Sequence, residues 1–230
     1  MPFTNATTSN QYPSPLKNEN YSYKGDWDQI YSRHYNGLYN LPWMRGGFDP
    51  LLNEFLDTLD KSSKIIDVGC GSGRLCLHLM QTGFSQVTGI DVSEEVIKRA
   101  SRRGRKAKAC FKAIDLFDIS DESKFDVVFC QLLLHHILPN DEPLFIEKLH
   151  SIMVPDTGLL FLTFLKTDIP GVTCTERESY FSKQHNVIMY NPEYVKESLR
   201  SAGLKKIIKE GDFTMPGKSK QFDYHIIICK

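Results

Sequence analysis

The sequence predicts an α/β domain built on a doubly wound, mostly parallel sheet. Seven strand-like runs follow one another along the chain, and most are continuously apolar: KIIDVG, QVTGIDV, ACFKAID, FDVVFCQ, GLLFLTFL, KKIIKEGDF and DYHIIICK. Helix-like segments separate the first five runs, and one more precedes the sixth. Continuous apolar runs are typical of strands covered on both faces, and alternation of strand and helix favours parallel pairing.

The helix-like segments are SGRLCLHLMQTG, SEEVIKRASRRG, DEPLFIEKLHSIM and NPEYVKESLRSAG. Ser93 is placed to cap the second of them and Asn191 the fourth, which has Pro192 in its first turn. The last two strand-like runs are joined by TMPGKSKQ, which contains no helix. The final strand is therefore expected to pair antiparallel to its neighbour.

The composition indicates one compact domain. The chain has 230 residues, 41% of them hydrophobic, and its 28 Lys and Arg balance 28 Asp and Glu, which argues against nucleic acid or a membrane as a required partner. The six cysteines include no C-x-x-C pair, which suits a reducing compartment. No apolar stretch approaches the roughly 20 residues that span a bilayer, and no secretory signal pattern is present. A cytoplasmic location is expected.

Residues 1–25 are rich in Ser, Thr, Asn and Pro and show no apolar periodicity. Such a segment buries too little surface to offset its ordering entropy, so a flexible tail is predicted, with folding over a bound ligand as the alternative. Residues 61–230 are predicted to form the core. Within the core, residues 166–191 form a connection longer than the fold requires.

The stretch IIDVGCGSGR closes the first strand-like run with Gly69, Gly71 and Gly73. Doubly wound sheets bind ligands at the carboxyl ends of their strands, where bare backbone lets a ligand approach the amide N–H groups. A dinucleotide fingerprint, G-x-G-x-x-G, needs glycine at position 74, where this chain has Arg74. The G-x-G-x-G pattern therefore indicates a different ligand.

Three acidic residues accompany this loop. Asp91 closes the second run, about 20 residues on, where a carboxylate accepts hydrogen bonds from both hydroxyls of an unphosphorylated ribose. Asp67 lies inside the first run and requires a cationic or N–H partner, because an unpaired buried carboxylate is costly. Asp115 follows the third run, from which its carboxylate and the next amide can grip an adenine edge. Helix capping by Asp91 and turn formation by Asp115 are the alternatives.

Together, IIDVGCGSGR, VTGIDVS, AIDLFD, FDVVFCQLLLHHIL and GLLFLTFL resemble the class I S-adenosylmethionine-dependent methyltransferases in order and spacing. The resemblance implies a Rossmann-like methyltransferase fold with strand order 3-2-1-4-5-7-6, strand seven antiparallel, and S-adenosylmethionine as cofactor. The core residues that it assigns to the cofactor are Gly69, Cys70, Gly71, Asp91, Val92, Asp115, Leu116 and Gln131. Asp67 is expected to serve the methionine ammonium, directly or through water.

The segment WDQIYSRHYNGLYNLPWMRGGFDP resembles the elements that precede the core in small methyltransferases acting on thiols, tellurite and related small molecules. The resemblance implies a helical lid over residues 26–60. Trp27 and Tyr31 are four residues apart and share one helix face, so we expect them to place aromatic rings beside a sulfonium. Plain packing of this helix onto the body is the alternative. Arg45 is expected to bind the methionine carboxylate through its guanidinium.

Methyl transfer needs little beyond holding the nucleophile beside an activated methyl in a dry pocket. His135 and His136 follow strand four, facing the expected acceptor space, and are candidates for a general base; a structural loop is the alternative. The other histidines lack metal-ligand spacing, and no metal is expected. Tyr180 and Phe181, in the connection at 166–191, are candidate walls of the acceptor pocket.

The predicted function is methyl transfer to a small-molecule acceptor, and two alternatives stay open. Residues 98–112 contain eight basic residues, a density that could track RNA phosphates, and LLLHHIL also resembles tRNA wobble-base methyltransferases. A solvated helix end explains the same basic stretch. The second alternative is a noncatalytic protein that binds the cofactor and engages another protein. The sequence does not determine the oligomeric state.

Overall fold

The computed structural model describes residues 23–33, 48–105, 109–177, 185–216 and 221–230. The helices within these residues are α1 (Tyr23–Arg33), α2 (Pro50–Asp57), α3 (Arg74–Gln81), α4 (Glu94–Gly104), α5 (Glu142–Ser151) and α6 (Pro192–Ser201). The strands are β1 (Lys64–Val68), β2 (Gln86–Asp91), β3 (Cys110–Ala113), β4 (Val127–Cys130), β5 (Leu159–Leu165), β6 (Val172–Arg177), β7 (His185–Tyr190), β8 (Ile207–Pro216) and β9 (Gln221–Cys229). None of the described helices has the length and apolar character needed to traverse a lipid bilayer.

Seven of the strands form one sheet in the order β3-β2-β1-β4-β5-β9-β8. The strands β1 to β5 pair in parallel, and β9 runs antiparallel to both β5 and β8. Since β8 and β9 are the sixth and seventh strand-like runs of the sequence, the predicted order 3-2-1-4-5-7-6 is confirmed. Strand β1 lies between β2 and β4, which places the switch point of the sheet at the carboxyl end of β1.

Alternate residues of the central strands enter two separate apolar cores. On one face, Ile65 and Phe129 pack with residues of α2, α3 and α4. On the other face, Ile66 and Val128 pack with residues of α5 and α6. Because side chains alternate between the two faces of a strand, both helix layers are needed to cover β1 and β4. This double coverage explains the continuous apolar runs in the sequence.

Side-chain caps fix where three helices begin. The hydroxyl of Ser93 accepts a hydrogen bond from the amide of Val96 at 3.3 Å, and Asn191 caps α6, which has Pro192 in its first turn. Both caps confirm the sequence prediction. Asp49 caps α2 in the same way, accepting from the amide of Leu51 at 2.7 Å. Because β2 ends two residues before Ser93, this cap fixes the path of the chain at the carboxyl end of β2.

A two-stranded hairpin lies inside the connection at 166–191, where a loop was predicted. Strands β6 and β7 pair antiparallel, from Val172 with Tyr190 to Arg177 with His185. The residues between these strands carry no two-residue turn signal, which is why the hairpin was not predicted. Tyr180 and Phe181 lie outside the described residues.

The region predicted as tail and lid contains α1 and α2. Helix α1 begins at Tyr23, within the segment predicted as tail, and its residues Ile30 and Tyr31 are buried. Residues 1–22 and 34–47 lie outside the described residues, and so does Arg45.

Candidate functional site

A cavity of about 210 Å³ opens at the carboxyl ends of the parallel strands, beside the switch point. All the predicted cofactor residues among the described parts of the chain line it: Trp27, Tyr31, Asp67, Gly69, Cys70, Gly71, Asp91, Val92, Asp115, Leu116 and Gln131. The histidine His136 also lines the cavity, whereas His135 does not. The fold therefore brings residues from Trp27 to His136, 109 positions apart, into one site.

The glycine loop turns sharply because three of its residues adopt left-handed backbone angles. The φ angles are +71° at Gly69, +52° at Gly71 and +74° at Gly73, where α3 begins. A Cβ atom at Gly69 would lie 2.9 Å from the side chain of Leu133, and one at Gly73 would lie 2.5 Å from the ring of Phe111. The loop therefore excludes side chains and presents its backbone to the cavity.

Asp91 ties the end of β2 to the glycine loop. Its Oδ2 atom accepts a hydrogen bond from the amide of Gly71 at 3.0 Å, and its Oδ1 atom accepts one from the amide of Ser93, also at 3.0 Å. Burial raises the pKa of Asp91 to about 6, against the lowering effect of these two amides, and the charge of Asp28 raises it further. Each carboxylate oxygen can accept a second hydrogen bond, so Asp91 can still bind two hydroxyls.

Asp67 is a buried carboxylate with a weak partner. The thiol of Cys76 donates a hydrogen bond to its Oδ2 atom at 3.4 Å, and the side chain is only 3% exposed. Burial raises the pKa of Asp67 to about 7; the Cys76 hydrogen bond opposes this effect, and the charge of Asp91 adds to it. A cation entering the cavity would stabilise the ionised form of this side chain.

Gln131 carries an unsatisfied donor at the end of β4. Its Nε2 atom is buried and has no hydrogen-bond partner among the described residues, although the side chain lines the cavity. The chain leaves β4 through Leu132, whose φ is +55° and whose amide donates to Thr163 Oγ1 at 2.8 Å. A buried donor without a partner costs free energy, so Gln131 is suited to an acceptor atom of a ligand.

Asp115 lies just beyond β3, where the first turn of a short 3-10 helix begins. Its carboxylate accepts a hydrogen bond from the amide of Phe117 at 3.1 Å, and burial raises its pKa. It therefore forms the turn that was predicted as the alternative role. It also lines the cavity next to Leu116, so the turn and a ligand contact are compatible.

Helix α1 places two aromatic rings on the cavity. The rings of Trp27 and Tyr31 lie 5.7 Å apart, as their four-residue spacing predicts. The indole of Trp27 also meets the imidazole of His136 edge-on, with 4.8 Å between ring centroids. Tyr31 belongs to the same apolar core as α2, α3 and α4, so this helix both packs onto the body and lines the site.

The two histidines after β4 occupy different environments. His135 is buried behind His136, with 4.1 Å between the ring centroids, and burial lowers its pKa to about 3. An imidazole with this pKa stays neutral at physiological pH. Of the two rings expected to face the acceptor space, only that of His136 lines the cavity.

Several cavity residues were not predicted from the sequence. The apolar ones form a wall that we call the apolar side, and it consists of Phe48, Leu52, Phe161, Phe213 and Ile226. These residues come from α2, the segment before it, β5, β8 and β9, so no local motif joins them. Phe213 follows Asp212 at the end of the run KKIIKEGDF, and nothing in that pattern marks it as a cavity residue. We call Asp67, Gly69, Gly71, Asp91 and Gln131 the polar side.

Arg74, at the start of α3, also lines the cavity, although no role in the site was predicted for it. Its guanidinium lies 4.4 Å from the ring centroid of Phe48, and burial lowers its pKa. Within the described parts of the chain, His, Cys, Asp and Glu side chains form no group of three that could hold a metal ion.

A glycine loop with bare backbone, an acid at the end of β2 and the side chain of Gln131 after β4 line one cavity at the switch point of a doubly wound α/β domain, which is where such domains bind their ligands. The chain belongs to the methyltransferase-domain family, because residues 41–209, more than half of it, match the family model described as Methyltransferase domain.

Named relatives carry out several methyl transfers. Phosphoethanolamine N-methyltransferase 1 of Triticum aestivum is 28% identical over 170 residues, which cover 72% of this chain and 33% of the wheat protein. Ubiquinone biosynthesis O-methyltransferase of Rhodopseudomonas palustris is 30% identical over 104 residues, which cover 44% of this chain and 40% of that protein. This chain therefore spans less than half the length of these relatives.

Solved structures share the fold. The 1,6-didemethyltoxoflavin-N1-methyltransferase of Burkholderia thailandensis, with bound 1,6-didemethyltoxoflavin and S-adenosylhomocysteine, has a TM-score of 0.69 at 17% identity over 90% of each chain. A methyltransferase from Methanosarcina mazei, described as S-adenosylmethionine-dependent, has a TM-score of 0.67 at 20% identity. This match covers 80% of the present chain and 98% of the other. At these identities the likeness concerns the fold.

Proposed function

We propose that the protein is an S-adenosylmethionine-dependent methyltransferase whose acceptor is a small molecule with an apolar body. The observation that carries this proposal is the division of one cavity into a polar side, suited to a nucleoside and an amino acid, and an apolar side next to it. Family membership supports the reaction type. The apolar side supports the proposed kind of acceptor, a small molecule with an apolar body.

The polar side fits this cofactor residue by residue. Asp91 has hydrogen-bonding capacity left for two ribose hydroxyls, and no cation among the described residues pairs with Asp67, whose charge a methionine ammonium would balance. The unsatisfied Nε2 of Gln131 is a donor for the amino-acid part of the cofactor. Backbone at Gly69 and Gly71 leaves room for close approach.

When bound, the cofactor supplies a methyl group already activated by a sulfonium. The remaining work of the protein is to hold an acceptor at short distance and to exclude water, which can provide most of the rate enhancement. Phe161, Phe213 and Ile226 offer apolar contacts for the body of such an acceptor. The rings of Trp27 and Tyr31 cover the same cavity from α1 and can stabilise positive charge within it.

Among the described histidines, only His136 lines the cavity, so its imidazole is the one that can accept a proton there. We propose that it orients the acceptor or takes its proton where the nucleophile is protonated, and that proximity carries the larger part of the rate. The neutral, buried His135 supports the ring of His136 from behind.

The basic stretch at 98–112 does not favour RNA as the acceptor. Arg99 donates to the carbonyl of Tyr31 at 3.1 Å, and Arg103 donates to the carbonyl and the hydroxyl of Ser72 at 3.1 and 2.9 Å. Two of the eight cations therefore hold parts of the site itself. The stretch leads from α4 into β3, at the edge of the sheet and away from the apolar side.

Calorimetric titration with S-adenosylhomocysteine tests the cofactor assignment, and transfer of a labelled methyl group tests the acceptor. The acceptor panel contains thiophenol, phenol and aniline as apolar compounds, phosphoethanolamine as a charged one, and total RNA. We expect binding of S-adenosylhomocysteine and transfer to at least one apolar acceptor in preference to phosphoethanolamine. Transfer to RNA alone would favour the RNA alternative, and tight binding without transfer to any acceptor would favour the noncatalytic partner.

A further inference from the structure

We propose that Asp28 is a positioning residue that holds α1 over the cofactor site, an arrangement that we call the latch. Asp28 fixes the side chain of Ser93, and through Ser93 it fixes the ribose-binding carboxylate of Asp91. This inference rests on the proposed function, since it concerns how the same site retains its cofactor. Asp28 does not line the cavity, and its action is indirect. Three contacts carry the inference.

The first contact joins Asp28 to the beginning of α4. Its Oδ1 atom accepts a hydrogen bond from the hydroxyl of Ser93 at 2.5 Å and a second from the amide of Glu95 at 3.2 Å. The first turn of a helix has amide groups without partners in the helix and a partial positive charge, so a carboxylate there is stabilised twice. The residue that anchors α1 is therefore bound by the start of another helix.

The second contact joins Ser93 to Asp91. Ser93 is fully buried, its hydroxyl accepts from the amide of Val96, and its own amide donates to Asp91 Oδ1 at 3.0 Å. The single proton of this hydroxyl is committed to Asp28, which fixes the rotamer of Ser93. Since the other oxygen of Asp91 accepts from Gly71, the path from Asp28 ends at the glycine loop.

The third contact fastens the far end of α1 to the same helix. Arg99, on α4, donates to the carbonyl of Tyr31 at 3.1 Å and pairs with Glu95 at 2.9 Å. A helix as short as α1 is marginal on its own, so its position depends on such tertiary contacts. With Asp28 at the middle of α1 and Tyr31 near its C-terminal end, α1 is held along α4 while Trp27 and Tyr31 face the cavity.

The test compares Asp28→Ala with Asp28→Asn. Alanine removes both hydrogen bonds, so the dissociation constant for S-adenosylhomocysteine should rise roughly tenfold, with faster dissociation. Asparagine keeps an oxygen that can accept from Ser93 and Glu95, so it should recover most of the affinity. Both variants are titrated well below their melting temperatures, so that loss of folded protein does not contribute.

Hydrogen exchange distinguishes positioning from a general loss of stability. In Asp28→Ala, the amides of residues 23–33 should lose protection, while those of β1 and β4 keep it. The matched control is Asp57→Ala, because Asp57 is an exposed helical carboxylate on α2, and it should leave affinity and exchange unchanged. In the double variant Ser93→Ala with Asp28→Ala, the loss of binding free energy should be smaller than the sum of the two single losses, because both changes break the same hydrogen bond.

Each outcome separates the latch from the proposed function. Wild-type protein that does not bind S-adenosylhomocysteine would overturn both. If the wild type binds and Asp28→Ala binds equally well, the latch is wrong while the proposed function stands. An exchange increase that spreads to β1 and β4, or an equal loss in Asp57→Ala, would also overturn the latch.

Discussion

The polar side of the cavity is held by hydrogen bonds at strand ends, whereas the apolar side is held by packing between distant elements. Asp91, Gly71 and Ser93 fix one another through directional bonds of 3.0 Å, so the shape of the polar side is set by the backbone. Phe161, Phe213 and Ile226 come from three different strands and meet only after the sheet has assembled.

This contrast teaches how one fold can keep its cofactor while its acceptors differ. Replacing a side chain of the apolar side changes the shape of that part of the cavity, and it leaves the hydrogen bonds of the polar side intact. A change in the glycine loop or at Asp91 removes a bond that other residues depend on. The predictions that follow test whether the two sides are independent in this way.

The largest effect is expected on the polar side. Asp91→Ala removes the acceptors for the amides of Gly71 and Ser93 as well as for the ribose, so the dissociation constant for S-adenosylhomocysteine should rise about 10- to 100-fold. Calorimetry measures this change. Asp57→Ala, at an exposed carboxylate on α2 outside the cavity, is the control and should bind as the wild type does. Unchanged affinity in Asp91→Ala would remove the ribose assignment.

The second-largest effect is expected when the affinity of the polar side for S-adenosylhomocysteine is measured as a function of pH. Cofactor binding needs ionised carboxylates, while burial raises the pKa of Asp67 to about 7 and that of Asp91 to about 6. Affinity should therefore fall as pH falls below about 7, by up to roughly tenfold per unit for each carboxylate that must lose a proton. Calorimetry in buffers of different ionisation enthalpy should show proton release on binding at pH 6. An affinity that is constant from pH 5 to 8 would contradict the assignment.

The same pKa shifts have the opposite sign for the stability of the ligand-free protein. Between the ordinary value of 3.8 and the raised values of about 6 and 7, the folded state holds protons that the unfolded state has lost. The contribution of these two carboxyls is therefore greatest at low pH and is lost as pH rises through this window. Saturating S-adenosylhomocysteine should reduce this loss in a denaturation series.

A smaller effect should be confined to the apolar side. Phe213→Ala removes part of the apolar wall, so kcat/KM for an apolar acceptor should fall about fivefold while affinity for S-adenosylhomocysteine changes less than about twofold. Ile208→Ala on the same strand is the control, because Ile208 is exposed and does not line the cavity. Equal losses of acceptor and cofactor binding in Phe213→Ala would show that the two sides are coupled.

The smallest effect is expected from His136→Gln. If proximity carries most of the rate, kcat should fall less than about tenfold, whereas loss of a true general base costs about 10²- to 10⁴-fold. Initial rates with a thiol and with an amine acceptor measure this, and His150→Gln, away from the cavity, serves as control. A loss above about 100-fold would make His136 a catalytic base.

The polar side could be predicted from the sequence because its residues belong to short motifs at strand ends. Gly69, Gly71 and Asp91 each follow a strand-like run, and the parallel order of the sheet brings such ends together. The strand order was predicted by resemblance and is confirmed. His135 was misplaced because neighbouring residues after a strand turn to different sides, and the 3-10 turn from Leu134 to His136 is not visible in the pattern.

The apolar side could not be predicted, since burial in a core and contact with a ligand leave the same sequence signal. Phe161 lies in a continuous apolar run, and Leu52 lies on the buried face of an amphipathic helix, as core residues do. The hairpin of β6 and β7 was missed for a different reason, the lack of a recognisable turn between two β-rich stretches.

The position of β9 in the sheet has a consequence for biosynthesis. It is inserted between β5 and β8 and pairs with both, although it follows both of them along the chain. While the polypeptide emerges from the ribosome, β8 has no strand to join until β9 has been made. The parallel strands with the glycine loop can form earlier, so the nascent protein should acquire its nucleoside pocket before the wall containing Phe213 and Ile226 exists.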